Sequence, residues 1–180
     1  TAREAKAALE SAATFFEGRP GGESQLAVIA ELRGVWFSQL AQSGKSSYAT
    51  DACESFQQAL DLLERKEDED REPYARIVHE YVKVLRIGGR NELAMEWLNR
   101  ALSMTHLPTP ARIQLLVDRA ELRVADPGMR SGHEQARGDL TEARELLGPE
   151  APSTLLESVM VSEQEVLAHL YDAASALQSL

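Results

Sequence analysis

Arg76, His79, Lys83 and Arg86 carry or can acquire positive charge, and spacings of three, four and three place them in line on one helix face. Such a row of donors can grip acidic side chains or a chain-terminal carboxylate. Large aromatic groups form the second candidate. Trp36 and Phe37 are adjacent, so on a helix they cannot both point the same way. With Leu40 and Trp97 they are expected mainly to fill core. Trp36 is taken as a partly exposed anchor, the kind of residue that dominates interface energies.

Other chemistry is poorly supported by the residue order. The run Lys66-Glu67-Asp68-Glu69-Asp70-Arg71-Glu72 invites calcium. A calcium loop counted from Asp68 would need glycine at its sixth position and glutamate at its twelfth, where Pro73 and His79 stand. The run therefore reads as a solvated link. His79-Glu80 opens like a zinc-protease motif, but Lys83 occupies the place of the second histidine. His106, His133 and His169 are far apart in sequence. Cys53 lies between core-facing positions of a helix and reads as an inert buried thiol. No Gly-x-Ser-x-Gly elbow and no Walker-type phosphate loop is present. The expectation is a chain with no enzyme activity, no cofactor and no metal.

Composition is that of an ordered globular protein: 180 residues, 43% hydrophobic, 27% charged and 6% aromatic. A formal net charge of −10 repels nucleic acid and anionic membranes at long range, so neither is an expected partner. No apolar run approaches the roughly 18 residues of a membrane span. The first residues read as an amphipathic helix rather than a signal peptide. Absence of an initiator methionine is expected of a fragment or a processed chain. The single cysteine excludes an internal disulfide and fits a reducing compartment, so a soluble cytoplasmic protein is expected.

Positioning these residues requires helices. Apolar residues recur at three and four positions, and no stretch sustains period-two alternation. Punctuation falls at 18–22, 43–47, 66–73, 88–89, 108–110, 126–128 and 148–152, and glycine or proline marks each break. Eight helices are predicted, near 2–17, 23–43, 46–66, 73–88, 91–105, 110–125, 133–147 and 153–179. Short links imply antiparallel neighbours.

Four helices share a small-x3-large-x2-Ala seam: Ala5/Leu9/Ala12, Ala52/Phe56/Ala59, Ala94/Leu98/Ala101 and Ala136/Leu140/Ala143. Alanine lets a neighbouring helix approach, and the larger residue fills the space between. Ala75 to His106 is the most complete unit. Val78, Tyr81, Val82 and Leu85 form one inner stripe, Gly89 the turn, and Ala94, Leu98 and Ala101 the second seam. This unit resembles the tetratricopeptide repeat, a helix-turn-helix of about 34 residues. Val78 and Val82 stand where that family has tryptophan and glycine, and no closing proline follows Ala101. Successive seams begin at Ala5, Ala52, Ala94 and Ala136, which makes the units longer than the family norm. The lengthening is similar to repeats in the regulatory domains of MalT-like signalling proteins.

The resemblance implies one right-handed α-solenoid over residues 1–180. Antiparallel pairs would lie near 23–66, 73–105 and 110–147, flanked by helices 2–17 and 153–179. A three-long-helix bundle with added hairpins is the competing arrangement, and the ordered recurrence of one seam favours the stack. The leading helix of each pair would line a concave groove. That puts Arg76, His79, Lys83 and Arg86 there, with Gln114, Asp118 and Glu121 at matching places one unit later. Two uses of this face stay open: binding a partner, or ion pairs between Lys83 and Asp118 and between Arg86 and Glu121, contributing about 0–1 kcal/mol each. Lys83 stands where a carboxylate clamp of this family needs asparagine, so that specific clamp is not expected. The function implied is a protein-binding adaptor. A sensing segment of a larger signalling or transcription-regulating protein is one alternative. A self-associating scaffold is the other, using Val159, Val161, Val166, Leu170 and Leu177 of the last helix.

Overall fold

The computed structural model describes residues 2–45, 47–64, 71–125, 130–148 and 152–178, with backbone only at residues 2, 3, 130, 131 and 169–178. Within them the chain is all-helical, with no strand: α1 (Ala2–Phe16), α2 (Glu23–Gln42), α3 (Tyr48–Glu64), α4 (Glu72–Ile87), α5 (Asn91–Leu102), α6 (Thr109–Val124), α7 (Arg130–Leu146) and α8 (Ser153–Gln178). The calcium reading at Asp68 and the break at 126–128 lie outside the described residues, as do the side chains of His169, Leu170 and Leu177. No helix among the described residues is long and apolar enough to cross a membrane.

The helix ends follow from local chemistry. Gly44 and Gly89 have φ of +93° and +69°, the left-handed turn that residues bearing a Cβ avoid. Past α4, Arg90 N–H donates to the Leu85 carbonyl at 2.8 Å and Gly89 N–H to the Arg86 carbonyl at 3.0 Å. Past α2, Lys45 N–H reaches Leu40 at 3.3 Å and Gly44 N–H reaches Ala41 at 3.2 Å. Both sets are the paired bonds of a Schellman turn, which satisfy carbonyls that a helix end would otherwise leave unpaired. Pro73 enters α4 in its first turn, where no intrahelical donor is needed.

Two compact units result, Thr1–Arg90 and Asn91–Leu180. In the first, α2 packs along α3, and α4 packs on both. Phe56 is completely buried between Ala52 and Ala59, and its ring centroid lies 6.1 Å from that of Tyr81. Close approach of α2 to α3 depends on Gly34. A Cβ there would stand 2.6 Å from two carbons of the Phe56 ring. Phe37 is buried and stacks on Tyr48 at 5.7 Å. Val78, Tyr81, Val82 and Leu85 are buried as expected.

In the second unit α6 packs along α7, α5 packs on α6, and α8 lies against both α6 and α7. The seams Ala94/Leu98/Ala101 and Ala136/Leu140/Ala143 are buried throughout, and so is Trp97.

Two expectations need correction. In α1, Ala5 is exposed, and Leu9 and Ala12 are only half-buried. This seam is not closed as the other three are, because alanine loses little by facing water and its spacing does not reveal whether a helix covers it. In α8, Val159 and Val166 are buried against the unit rather than displayed, whereas Val161 is exposed.

Candidate partner-binding surface

Packing of α4 on α2 assembles the first unit's most developed surface. Arg76 extends from α4 to Glu31 of α2, with Nε donating to Oε1 at 2.7 Å and Nη2 to Oε2 at 3.0 Å. This two-pronged contact orients both planar groups. Beneath it lies a cleft of about 180 Å³, lined by Ala27, Val28, Glu31, Pro73, Arg76 and Ile77 among others. Val28 at the cleft and Leu32, one turn further along α2, are 52% and 51% exposed. Val35 and Trp36, one turn further along, are half-buried. Trp36 touches Phe37 at 4.8 Å between ring centroids, and of the two Phe37 is the one turned into the core.

The remaining members of the basic row have their own neighbours. Glu80 accepts from Lys83 Nζ at 2.9 Å and lies 3.8 Å from His79 Nε2. Lys83 and Arg86 are half-buried along their helix. The row is therefore a mixed surface, with Glu31 and Glu80 set among its cations. Glu31 was not singled out from sequence, because nothing in its spacing says that α4 brings Arg76 to it.

In the second unit Gln114 Nε2 donates to Asp118 Oδ1 at 3.2 Å, and Ser162 of α8 donates to Glu121 Oε1 at 3.2 Å. Asp118 is buried, whereas Gln114 and Glu121 are half-exposed. The strongest polar cluster lies between α6 and α7. Arg119 Nε and Nη2 donate to Asp139 at 3.1 and 2.7 Å, Arg123 Nη1 donates to the same carboxylate, and Arg119 Nη1 donates to Asn99 Oδ1 at 3.0 Å. Burial lowers the Arg123 pKa, opposed by Asp139 and reinforced by the Arg119 charge. All three nitrogens of the Arg119 guanidinium and Nη1 of Arg123 donate to acceptors on α5 or α7, so the cluster ties helices together.

Cys53 is buried, and burial pushes its thiol up; Arg90 opposes that shift and Glu54 adds to it. A thiol held protonated is a poor nucleophile. Among the described residues no group of three or more His, Cys, Asp or Glu is placed to hold a metal.

Comparison with protein families, with curated proteins and with solved structures finds no match.

Proposed function

We propose that the chain is a non-catalytic interaction module that holds a peptide or helix of another protein along α2 and α4. The observation that carries this reading is the exposed pair Val28 and Leu32, bordering a cleft crossed by the Arg76–Glu31 ion pair. Apolar surface of this kind, rimmed by oriented polar groups, suits partner side chains better than water. Two helices fixed by a shared core would present it without rearrangement, leaving most of the ordering cost to the ligand.

On this reading the helices form a right-handed stack of antiparallel pairs like tetratricopeptide repeats, in a soluble cytoplasmic protein. The three buried small-large-small seams support the stack. The lengthened spacing of those seams favours, as a second reading, a sensing segment within a larger signalling protein.

Affinity capture with mass spectrometry, comparing the parent chain with Val28→Ser/Leu32→Ser, tests the proposal. A specific protein retained by the parent and lost from the folded double variant is expected. Equal capture by both would overturn the assignment of this surface.

A further inference from the structure

The second unit carries an apolar surface that its own core does not use. Val159, Ser162 and Val166 recur at three and four positions and are buried, so this side of α8 faces α6 and α7. About a quarter-turn round the helix, Leu156, Met160 and Leu167 are 46%, 51% and 58% exposed. Their spacing of four and seven keeps them in one stripe, about 16 Å long at the helical rise. A stripe of that length and narrowness matches about three turns of another helix.

Charge decides which helix. From Ser153 to Gln178 the sequence has Glu157, Glu163, Glu165 and Asp172, and neither lysine nor arginine. Arg144 of α7 lies 3.7 Å from Glu163 and is largely exposed, a contact too weak to offset the row. A second copy of α8 laid on the stripe would set carboxylates against carboxylates in either direction, with no cation of its own to answer them. An anionic lipid surface is disfavoured on the same ground.

We propose that the outer face of α8 docks a basic amphipathic helix of another protein, with leucine-like residues on Leu156, Met160 and Leu167 and flanking lysines or arginines answering Glu157 on one side of the stripe and Glu163 on the other. This site is independent of the surface on α2 and α4.

The test uses the full chain and a labelled synthetic helical peptide with leucines at alternating four- and three-residue spacing and lysines on both flanks, followed by fluorescence anisotropy. Met160→Gln/Leu167→Gln and, separately, Glu157→Lys/Glu163→Lys should each weaken binding about tenfold or more, the scale of losing central contacts. A peptide of equal charge with its leucines replaced by serine should bind at least as poorly. Circular dichroism verifies folding, and if the apolar pair loses helicity the charge pair, which alters no buried residue, decides alone. Binding that survives the charge pair, or that does not distinguish the two peptides, overturns the proposal. So does a dimer in sedimentation, at twice 19.8 kDa, that the apolar pair dissolves.

Discussion

Arg119 of α6 holds the buried carboxylate of Asp139 on α7 through two nitrogens, and Arg123, one turn further along α6, donates to the same group. One anion thus compensates two guanidiniums. Asp139→Ala would leave both cations facing each other in a largely desolvated space. Loss of one member of such a cluster costs about 3–5 kcal/mol, and the residual exposure of both arginines favours the lower end. Arg119→Ala should cost less, since Arg123 still answers Asp139. Urea denaturation followed by circular dichroism measures both variants, and an equal or reversed order would contradict this account.

Two glycines inside helices should respond in opposite ways to alanine. Gly138→Ala meets nothing within 4 Å and should stabilise by about 0.5–1 kcal/mol through helix propensity. Gly34→Ala gains the same propensity but drives a methyl into the buried Phe56 ring. Overpacking of that kind costs about 1–3 kcal/mol and should prevail. Thermal melts of the two variants on either side of the parent are the expected result.

Alkaline pH should unfold the first unit through Tyr81. Burial, first among the causes, pushes its phenol up from 10.0 to about 12, and Cys53 is displaced in the same direction. The folded chain therefore binds these protons more tightly than the unfolded chain. The Tyr81 contribution is intact below its unfolded value of 10.0 and is lost as pH climbs through about 12, and that of Cys53 starts to fall as pH rises past 9.0. Helicity followed from pH 8 to 12 should fall across this window. Tyr81→Phe, lacking the ionising group, should retain more of its starting stability at the top of the range.

The Arg76–Glu31 pair should matter little for folding. Arg76 is 53% exposed, so Arg76→Ala should change stability by less than about 1 kcal/mol despite the short contact. A larger loss on denaturation would recast the pair as structural rather than a rim available to a partner.

Helix placement was legible because periodicity and punctuation agree locally. Residues 73–88 were expected to be helical and Glu72–Ile87 is, with Pro73 and Gly89 marking the two ends. Phe56 and Leu140 are buried as their seam pattern suggests, but the same pattern at Ala5, Leu9 and Ala12 stays open, so spacing alone does not decide burial. Partners across helices were not legible. Glu31 and Asp139 resemble ordinary surface acids in a linear reading, and their roles depend on how α2 meets α4 and how α6 meets α7. Val159 and Val161 show the same limit within a single helix. Two positions separate the buried residue from the exposed one, and both are valines. Only the direction from which α6 and α7 approach distinguishes them.

Arg112 joins three elements with one side chain. Its Nη1 donates to the Leu102 carbonyl at the end of α5, its Nε and Nη2 donate to Glu142 of α7, and its backbone lies in the first turn of α6. Fraying of any one of these segments must break a bond held by the other two. Amide hydrogen exchange should therefore record the end of α5, the start of α6 and the middle of α7 as one opening unit with a shared protection factor. With Arg112→Ala the same three segments should exchange on separate clocks.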